Sequence, residues 1–407
     1  MTQFQPPRLP LPPPLMMSEE SSFAHITLTR RLPAIAQRVI AENDFSPSIV
    51  ENLETLVQEL PYGIVRRLKD DGPDLIAWAR YTEPFLGKRW LDVPWFFAEA
   101  YFYRRILEAT DYFLPGASGV DPFELQKRMG LETAINSIQT LSVQLNSWSD
   151  TQLDGNNHTS LTALLYFALW GNRADLSLWP VNAGEADLSS QAHPEQAHIL
   201  VDNTSVLADR VASLHGVRID FIVDNAGFEL VCDLCLVDLL LKSSAAVICL
   251  HLKPHPTFVS DAMIKDVYWT LEVLAADGSS DVRSLADRLN DYIALGRLRL
   301  CEDRFWTSPL AFWEMPELLQ QDLAQASLVI LKGDANYRRL LGDRHWSFTT
   351  SFEDIVCYFP ATCAALRILK SEIVVGLQSG QAEALSCEDS QWLTNGQWGV
   401  VQFFSGI

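Results

Sequence analysis

The chain has 407 residues, 48% of them apolar, and a formal net charge of −20. That length suits two subdomains with ample core. The charge argues against nucleic acid or an anionic membrane as partner, and no Lys/Arg cluster opposes it. A small anionic substrate stays open, because a metal and a few basic side chains can reverse the potential inside one pocket.

Residues Met1 to Leu15 carry prolines at positions 6, 7, 10, 12, 13 and 14. Residues 1–20 therefore read as a disordered, polyproline-like tail. It shows no basic region followed by an apolar core, and no apolar run is long enough to span a bilayer. The seven cysteines are irregularly spaced. Cys232 and Cys235 fall inside a helical pattern, where they read as buried thiols of a reduced, cytoplasmic chain. The nucleus is a further compartment, beside the cytoplasm.

From Thr27 to Trp179 apolar residues recur at helical spacing, as at Leu53, Val57, Leu60 and Ile64. Residues 21–182 thus form a helical domain. It contains two polar-aromatic segments, Pro94 to Arg105 and Leu169 to Ser177, in which Glu99 and Asn172 are the candidate pocket residues. Ala183 to His198 reads as a linker. Beyond it strands alternate with helices, with strands at Ile199–Val201, Ile219–Val223, Ala245–Leu252, Leu298–Leu300, Leu328–Leu331 and Glu372–Gly376. This rhythm predicts a three-layer α/β/α, doubly wound, mostly parallel sheet over 183–407.

Parallel strands align their carboxyl ends, where ligands of such sheets bind. Three of these ends carry Asp224, Asp261 and Asp334. Each alone reads as a helix cap. Together, with Asn225 and Glu229 beside the first, they point to hard oxygen ligands for a divalent cation. Lys253, Lys332, Arg338, Arg367 and Lys370 fall near the same edge and suit a phosphoryl group. Gly333 permits close backbone approach. HExxH, GxSxG, Walker A and GxGxxG patterns are absent, and Pro254 breaks the helix that an His251/His255 pair would need.

Asp224-Asn225-Ala226-Gly227-Phe228-Glu229, Phe258-Val259-Ser260-Asp261 and Lys332-Gly333-Asp334-Ala335-Asn336-Tyr337-Arg338 resemble the damage-control phosphatases, formerly "domain of unknown function 89". The likeness is to the eukaryotic branch of sugar-phosphate phosphatases and acidic-residue methyltransferase. It implies a metal-dependent phosphatase acting on small phosphorylated metabolites such as fructose 1-phosphate and fructose 6-phosphate. It implies Mn²⁺, Co²⁺, Ni²⁺ or Mg²⁺ on Asp224, Asn225 and Asp261. It also implies substrate contacts from Asp334, Ala335, Asn336, Tyr337, Arg338 and Lys370. Asp224 or Asp261 would accept the proton of water. Lys253, Lys332, Glu99 and Asn172 would complete the substrate pocket. The alternatives are S-adenosylmethionine-dependent carboxyl methylation, with the donor near Glu229 and Asp261, and a non-catalytic sugar-phosphate binder. The branch's R-T-x-K motif is here Arg367-Ile368-Leu369-Lys370, so Ile368 lacks the hydroxyl. Nothing in the pattern fixes an oligomeric state.

Overall fold

The computed structural model describes residues 7–8, 10–114, 119–150, 157–171 and 196–406. Seven strands form one sheet: β1 (Ile199–Asp202), β2 (Val217–Ile222), β3 (Ala245–Leu252), β4 (Leu298–Glu302), β5 (Leu328–Lys332), β6 (Cys363–Ile368) and β7 (Gly399–Phe404). Their order is β1-β7-β6-β5-β2-β3-β4. All neighbours are parallel except β6 and β7. From β2 the chain winds outward through β3 and β4, then returns to β5 on the other side of β2. The order reverses between β2 and β5, and a crevice opens at the carboxyl ends of two such strands.

Strand β5 is buried on both faces because both faces of the sheet are covered there. On β5, Val329 and Leu331 join a core with Leu28, Trp95, Tyr101 and Leu340, whereas Leu328 and Ile330 join one with Leu164, Phe167, Leu234 and Val267. Each fully buried Phe or Leu contributes about 1.5–3 kcal/mol. The early helices serve both cores. Leu32–Glu42 and Trp95–Ala109 lie over one face, while Ile135–Asp150 and Asn157–Trp170 lie over the other.

Two expectations are corrected. Glu372–Gly376 is not a strand; the last strands are β6 and β7. The buried Arg367 guanidinium donates to the carbonyls of Ser371 and Ile373, so a side chain, not a ladder, holds that segment. The proline-rich leader is not a free tail throughout. Leu15 N donates to Asp343 O, Trp95 N to Leu15 O and Met17 N to Val93 O, at 3.0, 2.8 and 3.2 Å. Leu15 and Met17 are buried. Two apolar side chains just after the prolines anchor this segment. Cys232 and Cys235 are buried free thiols within the helix Phe228–Ser243.

Candidate active site at the switch point of the sheet

Two loops are stitched together beyond β2 and β3. Ala226 N donates to Ser260 O at 2.7 Å and Ala262 N to Asp224 O at 2.8 Å, which brings Asn225 opposite Asp261 as a bridge pair. The second loop turns tightly, with Phe258 and Val259 at φ +44° and +67°. A β-branched residue rarely adopts such a φ, and each such position costs about 1–3 kcal/mol, so the surrounding contacts must enforce it. Phe258 supplies some of them, packing on Tyr103 and Phe96 at ring-centroid distances of 4.9 and 6.0 Å.

The loops bury two carboxylates together. Asp224 and Asp261 are 6% and 1% exposed. Burial, then the nearby Asp261 and Glu229, holds Asp224 well above the usual carboxylate range. Burial also raises Asp261, against the pull of Lys253, whose Nζ lies 3.3 Å from its Oδ2. Asp224 Oδ2 accepts from Asn225 Nδ2 at 3.1 Å, but its buried Oδ1 has no partner among the described residues. Asn225 also donates to Glu229 at 2.7 Å, and its own carbonyl accepts from Ser260 at 2.6 Å. An orphaned carboxylate oxygen beside a second buried carboxylate and an amide fits a hard divalent cation.

Across the crevice, Gly333 (φ +82°, ψ 175°) links β5 to the helix Asp334–Leu341. A Cβ there would lie 1.8 Å from Asp224 Oδ2. Asp334 accepts from Arg367 Nε at 2.8 Å and Ser371 Oγ at 2.9 Å. Burial alone would raise its pKa, but Arg367 and Arg338 outweigh that and hold it below the usual range. Lys370 is exposed, lies close enough to stabilise charged Asp224, and makes no ion pair among the described residues. Ala335 occupies the helix's first turn, half-buried.

Several of the expected substrate residues make contacts within the fold. Lys332 Nζ is 2.9 Å from Asp233 and 3.2 Å from Glu229, and it also donates to Ala168 O. Asn336 Nδ2 donates to the carbonyls of Ile222, Val223 and Lys332, stitching β2 to β5. The buried Tyr337 hydroxyl donates to Gln402 at 2.6 Å. Arg338 is buried between Glu99 and Asp343, 3.8 Å above the Trp95 ring, so Glu99 is paired as well. Asn172 lies outside the described residues. Reading the sequence missed Asp233, Asp343, Ser371 and the structural use of Arg367. The Glu229/Asp233 spacing of four, one face of a helix, was the available sign of a shared cation.

A second cluster, Asp220, His251 and Asp322, has metal-ligand spacing. It already holds a cation. Arg218 contacts Asp220 at 2.8 and 2.7 Å and Asp322 at 2.9 and 2.8 Å, and His251 Nε2 sits 2.9 Å from Asp220. Paired this way, the cluster is an ion-pair network; buried carboxylate oxygens without a hydrogen-bond partner among the described residues lie instead at Asp224, Asp261 and Asp233.

Residues 27–385 match the damage-control phosphatase ARMT1-like domain. The chain belongs to this family. It is 32% identical to the damage-control phosphatase ARMT1 of Danio rerio over 97% of this chain and 98% of that one. It is 33% identical to the ARMT1 of Rattus norvegicus over 96% and 98%. A solved DUF89 protein from Pyrococcus horikoshii aligns over 93% of this chain and 97% of its own, at TM-score 0.49 and 13% identity. For this ARMT1-like chain, Ile368 lies on β6 and packs against the core that contains Leu366. The hydroxyl at Asp334 comes from Ser371, which accepts from Arg367 at 2.8 Å as it donates. No helix among the described residues is long and apolar enough to cross a membrane.

Proposed function

We propose that this damage-control phosphatase hydrolyses small phosphate monoesters, sugar phosphates such as fructose 1-phosphate and fructose 6-phosphate among them. A divalent metal (Mn²⁺, Co²⁺, Ni²⁺ or Mg²⁺) would be held by Asp224, Asn225 and Asp261. The observation that carries this reading is the partnerless Asp224 Oδ1, buried beside Asp261 at the switch point. When bound, such an ion supplies a Lewis acid for phosphoryl oxygens and makes water more acidic. The protein's own groups do the rest. Lys370, unpaired and exposed, neutralises charge on the phosphoryl oxygens. The first-turn amides of Asp334–Leu341 offer N–H groups to the same oxygens. Asp224 or Asp261 would accept the water's proton on an oxygen that the ion leaves free. Asp334, oriented by Arg367 and Ser371, keeps its second oxygen for a sugar hydroxyl. Lys253 holds Asp261 in place.

The test is phosphate release from fructose 1-phosphate with added Mn²⁺, for wild type, Asp224→Asn and Asp261→Asn. Each folded variant should lose at least a hundredfold in kcat/KM, and a chelator should abolish wild-type turnover until metal is restored. Full activity in either variant would overturn the site assignment.

A further inference from the structure

A second cavity, of about 380 Å³, opens between the helical segment and the far end of the Asp334–Leu341 helix. That volume falls in the range of small-molecule sites, about 300–1,000 Å³. Aromatic rings wall it, among them Tyr81, Phe85, Phe97 and Trp313. Four arginines also line it: Arg338 is buried and paired with Glu99 and Asp343, while Arg80 is exposed, Arg344 half-buried and Arg339 buried at 2%. None of the last three has an ion-pair partner among the described residues. Of the acids at the wall, Asp343 is engaged by Arg338, and Glu314 accepts the Ala311 amide at 3.0 Å.

Arg339 is the buried member of the three. Its Nη1 and Nη2 donate to the carbonyls of Phe305, Leu310 and Trp306 and to Ser308 Oγ, while Nε has no acceptor. Its guanidinium lies 5.1 Å from the Phe96 and Phe305 ring centroids. Burial pulls its pKa down to about 9, with only Asp261 and Tyr81 pulling the other way. A buried guanidinium without a counter-ion is costly. The chain has 51 acidic and 31 basic residues, so three arginines at one cavity with no ion-pair partner among the described residues run against its composition.

We propose that this cavity binds a small aromatic anion, its ring held by the aromatic wall and its anionic group drawn by Arg80, Arg339 and Arg344. A planar body gains from stacking and burial. The anion supplies the charge that the protein leaves out.

The test titrates the full chain with 2-naphthalenesulfonate and with 2-naphthol, by calorimetry. The first is an anion that carries no phosphate ester and so is no phosphatase substrate. The sulfonate should bind one to one, at least tenfold tighter than the naphthol. Arg80→Met/Arg344→Met, which spares the buried Arg339, should remove that preference, and Ala311→Phe at the cavity wall should weaken both ligands at least tenfold. Circular dichroism establishes that the variants are folded. Equal affinity for the two ligands, or sulfonate affinity unchanged in both variants, would overturn the proposal.

Discussion

Gly333→Ala probes the contact between β5 and the Asp224 carboxylate. At φ +82° and ψ 175° the backbone occupies a region open essentially to glycine, so a methyl group costs about 1–3 kcal/mol before any contact is counted. Its Cβ would also stand 1.8 Å from Asp224 Oδ2 and 2.2 Å from Cγ. Normal separation is above 3 Å, so the carboxylate must move by about 1 Å or more. A misplacement of that size costs on the order of a hundredfold in rate. The expected result is Mn²⁺ affinity and kcat/KM each reduced at least tenfold, with a fall in unfolding free energy of about 2 kcal/mol. Gly380→Ala is the control, since that glycine has φ +83° and open space around its Cβ. It should lose stability alone. Phosphate-release kinetics, metal titration and urea unfolding on both variants read the difference. If Gly333→Ala kept wild-type metal affinity and kcat/KM, the placement of Asp224 against Gly333 would be wrong.

Lys332→Met leaves Asp233 buried without its cation, which costs about 3–5 kcal/mol. Adding Asp233→Leu should recover part of that in urea unfolding, whereas a lysine that only contacted substrate would change activity and not stability. Asn336→Ala removes three carbonyl contacts and should cost about 1–3 kcal/mol with little change in KM, measured by the same unfolding and by steady-state kinetics. Burial, partly offset by Asp74, pulls buried His255 down from 6.5 to about 4. Between those values the unfolded state binds a proton that the folded state does not, so stability is full above pH 6.5 and falls with acidity. By pH 4 this amounts to about 3 kcal/mol. His255→Gln should flatten that part of the pH–stability curve; an unchanged slope between pH 6.5 and 4 would count against it.

How far the site was legible follows from what each residue type can do. Strand–turn–helix punctuation located Asp224, Asp261 and Asp334 at one edge, because parallel strands leave no other arrangement. The loops between them carry unfavoured φ at Phe258 and Val259, which no propensity signals. The basic residues were harder. Lysine and arginine look alike in sequence whether they face substrate or are consumed by a buried acid. Arg338 and Lys332 prove to be paired because their partners, Glu99, Asp343 and Asp233, arrive from distant positions or along a helix face. The same holds for strand β6, whose Arg367 looks misplaced in an apolar run until Asp334, Ser371 and Tyr337 surround it.

That pairing determines how the crevice treats a phosphate. Lys332 compensates Asp233 and shares Glu229, Lys253 faces Asp261, and Arg367 faces Asp334. Asp224 is left with the more distant Lys370. Five carboxylates thus stand against four cations by formal charge, and a proton on Asp224 brings the bare crevice only to neutrality, so its net charge does not draw a phosphate dianion. A divalent ion on Asp224 and Asp261 turns that balance positive, so affinity for phosphate should follow the metal. Reversing one net charge at about 4 Å, at an effective dielectric near 20, is worth several kcal/mol before screening. Inorganic phosphate binding, measured by calorimetry, should therefore tighten at least tenfold when Mn²⁺ is present at saturation, and Lys370→Met should weaken it in either state. Equal phosphate affinity with and without metal would mean that Lys370 and the helix amides suffice, and that the carboxylate pair at the switch point serves something other than anion binding.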